Sequence, residues 1–212
     1  MVNKTDEKAS ISVSVKHLAN LLIQYRIRTF NQKADFSKIS EPNELALELY
    51  EVEKKKYDIK ELEYKIEEID SKIIERCREK SSNIGNGIHL CFDYENDNRI
   101  YIREYWLDGV NFRIGGKPDR VYGNGVIEEF KTVMNGSRKW IQILQGIYQL
   151  ALYCPYTNTQ IGILSLLNIE AGRIERVLYY IPIEAQESIL KNALKLYIKV
   201  IGKNNELDSN LP

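Results

Sequence analysis

Cysteine, proline, histidine and net charge are all scarce in this chain: 212 residues hold three Cys, five Pro and two His, and 30 Lys and Arg stand against 30 Asp and Glu. Cys77, Cys91 and Cys154 form no CxxC and cannot all pair, which argues against a disulfide framework and fits a reducing compartment. No apolar run approaches the ~18 residues of a membrane span. Met1 to Ser10 is polar and lacks the apolar segment of a secretory leader, so an intracellular protein with no membrane partner is expected. With 43% apolar and 28% charged residues, the composition is that of a globular chain rather than a collagen-like or disordered one. One domain, or a core with an appendage, fits the length.

The neutrality is a cancellation. Residues 1–40 carry seven basic and three acidic side chains, whereas residues 41–70 carry five basic and eleven acidic ones. In the acidic block Leu45, Leu49, Val52, Ile59, Leu62, Ile66, Ile69 and Ile73 recur at spacings of three and four, with only Lys56 interrupting the stripe. That stripe predicts an amphipathic helix or helical hairpin over about Asn43–Lys80, packed on the body or used in an oligomer contact. An N-terminal helical region, residues 1–80, would precede a core at 81–202 and a loose tail at 203–212.

From Arg99 the period changes to two. Arg99–Leu107, Val110–Ile114, Lys117–Tyr122 and Val126–Thr132 read as strands, with Gly123-Asn124-Gly125 as a turn. Ser137 can cap a helix from about Arg138 to Tyr153, halted by Pro155. Gln160–Asn168 and Arg173–Ile181 form a second hairpin candidate, and a last helix runs from about Ile183 to Gly202.

If Gly123-Asn124-Gly125 is a three-residue loop with Gly125 left-handed, Asp119 faces Glu129, Arg120 faces Glu128 and Lys117 faces Lys131. Asp119, Glu129 and Lys131 then share one face while Phe130 points to the other. Opposed carboxylates repel unless a cation lies between them. Asp119, Glu129 and the Phe130 carbonyl offer hard oxygen ligands suited to one or two Mg²⁺ or Mn²⁺ ions. Lys131 would lie beside the ion, able to orient a water or offset charge on a phosphate. A two-residue Asn124-Gly125 type I′ turn would instead set Arg120 against Glu129 in a surface ion pair. One residue of register separates a metal site from a solvated hairpin.

The string Gly115-Gly116-Lys117-Pro118-Asp119-Arg120, followed by Val126-Ile127-Glu128-Glu129-Phe130-Lys131-Thr132, resembles the PD-(D/E)XK phosphodiesterase superfamily. It is most similar there to RecB-type nuclease domains, Cas-four-type exonucleases and lambda exonuclease. The likeness covers residues 85–181 well and 11–30 loosely. It implies an α/β fold with a restriction-endonuclease-like core: a mixed central sheet flanked by helices, here with an N-terminal helical extension. Gly85-Asn86-Gly87-Ile88-His89 resembles the element that makes His89 a metal ligand. Trp140–Tyr153 resembles the helix whose Gln and Tyr reach the scissile phosphate. Gln145 and Tyr148, three apart, are the preferred pair; Gln149 and Tyr153, four apart, remain open, and Gln149 could line the same groove. Arg138 and Lys139, at the start of that helix, could hold neighbouring phosphates. Where Cas-four-type proteins open with Cys-Pro-Arg, this chain has Gln24-Tyr25-Arg26, and residues 155–212 contain no Cys, so no iron–sulfur cluster is expected.

The implied activity is metal-dependent hydrolysis of DNA, as an exonuclease on single-stranded or free ends. An inactive nuclease-fold binding module and an RNase on the same core are the alternatives. A homo-oligomer through the N-terminal helical region is a further expectation.

Overall fold

The computed structural model describes residues 10–31, 42–78, 99–133 and 139–208. It is an α/β structure with two sheets flanked by helices. In chain order the elements are β1 (Ser10–Ser14), α1 (Val15–Asn31), α2 (Pro42–Lys56), β2 (Lys60–Glu68), α3 (Ser71–Arg78), β3 (Tyr101–Leu107) and β4 (Val110–Gly116). There follow β5 (Arg120–Val121), β6 (Ile127–Val133), α4 (Lys139–Tyr153), a 3₁₀ turn at Cys154–Tyr156, β7 (Ile161–Asn168), β8 (Arg173–Tyr180) and α5 (Ile183–Asp208). No helix among the described residues is long and apolar enough to cross a membrane.

The smaller sheet has the order β1-β4-β3, with β1 parallel to β4 and β3 antiparallel to it. The larger has the order β2-β8-β7-β6-β5; β6 and β7 are parallel and the other pairs antiparallel. A parallel pair needs a crossover, and α4 supplies it between β6 and β7. That helix is nearly all apolar because it is covered on most sides, by the large sheet and by α1, α2 and α5. Phe130 leaves β6 on the opposite face, where it is fully buried with Leu167, Ile174 and Ile74 of α3. β6 therefore presents Phe130 to one core and Glu129 and Lys131 to the side that faces α4, by strand alternation.

The acidic stretch is not one helix. Asp58 adopts a left-handed φ of 49° just after α2, and the chain continues as β2, paired along β8 from Lys60 opposite Tyr180 to Glu68 opposite Arg173. Leu62 and Ile66 stand four apart, a spacing common to both helix and strand, but Tyr64 between them completes an alternation that only a strand uses. Glu67 is tied to Arg176 and Glu61 to Tyr50 and Lys54, which anchors the edge strand at both ends. The N-terminal region is thus not purely helical, since β1 and β2 are threaded into the two sheets.

Two other boundaries move. Helix α5 passes through Gly202 to Asp208, because a single glycine costs a helix only about 1 kcal/mol and is no terminator by itself. Of the strand expected at Lys117–Tyr122, only Arg120 and Val121 pair. Lys117, Pro118 and Asp119 instead carry the chain from the small sheet to the large one, and Pro118 has no N–H to give a ladder.

The hairpin adopts the three-residue loop. Gly125 has φ +83°, its N–H bonds the Tyr122 carbonyl at 2.9 Å, and Arg120 stands opposite Glu128 with Val121 opposite Ile127. A side chain at that φ is strained, and a Cβ would also lie 3.4 Å from the Thr157 carbonyl oxygen. We predict that Gly125→Ala lowers the unfolding free energy by about 1 kcal/mol or more. An unchanged urea midpoint would show that the turn does not need the left-handed residue.

Candidate active site

Asp119 sits at the end of the crossing between the sheets, and its Oδ2 accepts a 2.7 Å hydrogen bond from the Phe130 N–H. That bond spans the pairing position next to Arg120–Glu128, so it locks Asp119 beside Glu129. Glu129 is 3% exposed, and its Oε1 receives the Lys131 ammonium at 2.6 Å; the Lys131 side chain is 12% exposed. A carboxylate and an ammonium withdrawn from water this far hold each other strongly, and removing one partner of such a pair typically costs about 3–5 kcal/mol. Glu128, one residue earlier, points the other way. It is held by Ser165 at 2.5 Å and by Tyr122 at 2.7 Å, with Arg120 and Arg176 each at 3.8 Å. The neighbouring glutamates therefore differ in role: Glu128 is fastened inside a structural network, and Glu129 shares its side of the strand with Lys131.

The third wall is Tyr153, the last residue of α4. Its hydroxyl donates to the Lys117 carbonyl at 3.1 Å, and its ring lies on Gly116, where a Cβ would come within 2.8 Å of Cε1 and of the hydroxyl oxygen. Gly116 is thus the close approach that lets the helix end reach the crossing. Burial, and then the negative charges of Glu129 and Asp119, push the Tyr153 hydroxyl pKa up, so it remains a protonated donor. Beside this point a cavity of about 490 Å³ runs along the small sheet, lined by Ser12, Ser14, Ile102, Arg113, Gly116 and Lys117 among others. Its lining carries two cations and no carboxylate.

Gln145 and Tyr148 lie elsewhere. Gln145 donates to Asn20 of α1, and the Tyr148 hydroxyl donates to Glu53 of α2 at 2.5 Å. Glu53, 2% exposed, is also paired with Arg26, so this group fastens α1, α2 and α4 together. Burial, and then the Glu53 charge, raise the Tyr148 pKa well above its ordinary value. The α4 side chain beside the carboxylates is Tyr153, with Gln149 one helical turn before it. Gln149 is 3% exposed, and its Oε1 has no hydrogen-bond partner among the described residues. Pro155 follows Tyr153 almost at once, and the chain accommodates it by tightening into the 3₁₀ turn at Cys154–Tyr156.

The Lys139 ammonium holds Glu175 at 2.6 Å, and Arg173 holds the same carboxylate at 3.0 Å. His89 and Arg138 lie outside the described residues, as do Cys91 and the side chain of Cys77. Cys154 is fully buried, and that burial pushes its thiol up to about 12, so it behaves as a small apolar residue. Among the described residues no group of three or more His, Cys, Asp and Glu converges as a metal site. Asp119 and Glu129 supply two such groups, and the Phe130 carbonyl supplies a third oxygen of a different kind. Arg113, Lys117 and Gly116 went unassigned to the site in the sequence. The only signal for them was outward alternation along β4 and the Gly-Gly pair before Lys117.

No protein-family model matches the chain, and no curated protein matches it. Among solved structures, one titled "Crystal structure of SSO0001" is similar at 16% identity with a TM-score of 0.44, covering 93% of this chain and 78% of that one. A likeness at that level carries no argument about fold family or function.

Two measurements test this geometry. Tyr148→Phe leaves the buried Glu53 short of a donor and is predicted to cost about 1–3 kcal/mol in urea unfolding; a loss below a few tenths would dissolve the proposed three-helix fastening. Glu175 gives a pH dependence. Burial alone would raise its pKa, but the hydrogen bond and charge of Lys139, with Tyr64 and Arg173, hold it below the ordinary glutamate range. Its stabilising contribution is therefore present above the unfolded-state pKa of about 4.3 and lost as pH falls through the lower folded value. Glu175→Gln should flatten the loss of stability below that pH; parallel curves for the two proteins would rule the linkage out.

Proposed function

We propose that this chain is a metal-dependent nuclease with a restriction-endonuclease-like core, hydrolysing DNA phosphodiesters as an exonuclease on single-stranded or free ends inside the cell. The observation that carries the reading is the hairpin register, which brings Asp119 to the Phe130 amide and so beside Glu129, with the Lys131 ammonium at 2.6 Å from that carboxylate.

The donor set fits Mg²⁺ or Mn²⁺ in its chemistry. Two carboxylates and a main-chain carbonyl are hard oxygen ligands, and in their present arrangement a lysine supplies the positive charge they call for. His89 would complete the set. When bound, such an ion lowers the pKa of a water and polarises a phosphate oxygen. The side chains do the remaining work. Lys131 orients the attacking water and offsets charge building on the phosphate. Tyr153, kept protonated, fixes the Lys117 carbonyl and with it the crossing that carries Asp119. The buried Gln149 oxygen, one turn before Tyr153 and without a hydrogen-bond partner among the described residues, would accept from a water. The cavity along β4, with Arg113 and Lys117 and no carboxylate, suits a strand's phosphates on their way to Asp119.

One observation favours a second reading, an inactive nuclease-fold binding module. The Lys131 ammonium already satisfies Glu129 Oε1, as a surface kept without a metal would need. Calorimetric titration with Mn²⁺ separates the two, since a module of that kind binds none.

The test is a cleavage assay on end-labelled single- and double-stranded DNA and RNA with Mg²⁺, with Mn²⁺ and with chelator. Activity should require the cation, and Glu129→Gln or Lys131→Ala should reduce it by at least about 10²-fold. Tyr153→Phe should lower it more than Tyr148→Phe. Cleavage at the wild-type rate by either hairpin variant would remove the site; cleavage of RNA alone would leave the site and change the substrate.

A further inference from the structure

A second cavity, of about 290 Å³, opens between α1, the end of α2 and the middle of α5. None of its lining residues belongs to the hairpin or to the cavity along β4. Four of them are cations, Arg26, Lys56, Lys195 and Lys199, and none is an acid. Arg26 is paired with Glu53 behind the wall, yet its Nε is buried with no hydrogen-bond partner among the described residues. Lys56 donates to the Tyr57 hydroxyl at 2.9 Å, and the same hydroxyl accepts from Asn192 at 3.3 Å.

Lys195 and Lys199 form no ion pair among the described residues, although they stand one turn apart on one helix, where like charges repel. The charge at the end of α2 complements that helix's dipole, which accounts for Lys56 without a ligand. Lys195 and Lys199, exposed in the middle of α5, line one concave surface together with an arginine and a third lysine. A low-dielectric concavity lined by one sign of charge focuses the field and concentrates counter-ions of the other sign. Tyr25, 43% exposed, adds an aromatic face to the same wall, of the kind on which a base can stack, while Tyr57 is buried with the Lys56 ammonium over its ring at 4.3 Å.

We propose that this cavity binds phosphate esters, with Lys195, Lys199 and Lys56 on the phosphate oxygens and the Arg26 guanidinium edge behind them. The phosphate can come from a free nucleotide or from a nucleic-acid strand. The site stands apart from the hairpin, so it does not depend on the nuclease reading.

The test is calorimetric titration of the full chain in chelator, where metal-dependent cleavage cannot occur, with three probes: inorganic pyrophosphate, adenosine 5′-diphosphate and a 5′-phosphorylated octathymidylate. At least one should bind with Kd below about 1 mM, and K195E/K199E should weaken it by at least about tenfold, as expected for lost charge-assisted hydrogen bonds. K16E/K72E, with the same change of net charge on exposed lysines outside the cavity, should leave binding unchanged. Saturation by pyrophosphate or the diphosphate identifies a free ligand; binding of the octathymidylate alone identifies a strand. Should K195E/K199E fail to fold by circular dichroism, K195Q/K199Q takes its place. The proposal is overturned if no probe binds, or if the two double variants weaken binding equally.

Discussion

The 2.7 Å hydrogen bond from the Phe130 amide to Asp119 closes a loop of constraints around β5 and β6. Gly125 turns left-handed, so Arg120 meets Glu128 and Val121 meets Ile127; continuing that register brings Asp119 level with Glu129. Shifted by one residue, the strand would turn Glu129 toward the Phe130 core and Phe130 toward α4. Phe130 is fully buried with Leu167, Ile174 and Ile74, and burying a side chain of that size is worth about 1.5–3 kcal/mol. The apolar core therefore holds the polar face in register, and α4 can then settle with Tyr153 on Gly116.

Charge is arranged by the same logic. Glu53, Glu128, Glu129 and Glu175 are all nearly inaccessible, and each lies against a cation: Arg26, Arg120 with Arg176, Lys131, and Lys139 with Arg173. Buried carboxylates survive only in such company. Zero net charge is thus in part a record of pairing inside the fold. Further cations line the cavity along the small sheet and the cavity between α1 and α5, whose linings hold no carboxylate.

Several elements were legible in the sequence because a local rule and a tertiary need agreed. The hairpin at 123–125, the strands β3, β4, β6, β7 and β8 and the helix ending at Tyr153 fall within a few residues of where periodicity and turn residues put them. β2 was not legible, since its Leu62 and Ile66 satisfy the helical period too, and only pairing with β8 decides for the strand. The choice between Tyr148 and Tyr153 is not legible for a similar reason. Residues three and four apart on a helix are equally good neighbours, and which face meets the carboxylates depends on where Gly116 leaves room.

The sequence by itself determined the chemistry available: two carboxylates and a lysine at fixed offsets around a glycine turn, and an apolar residue between them that must point away. Strand alternation and turn stereochemistry are local, and they need no partner to act. Only the tertiary structure decided the company those groups keep. It set Tyr153 beside them, tied Tyr148 to Glu53 and Lys139 to Glu175, and gathered Arg26, Lys56, Lys195 and Lys199 around one cavity. Those residues are far apart in the chain, and their meeting follows from how α1, α2, α4 and α5 pack, which no local pattern encodes.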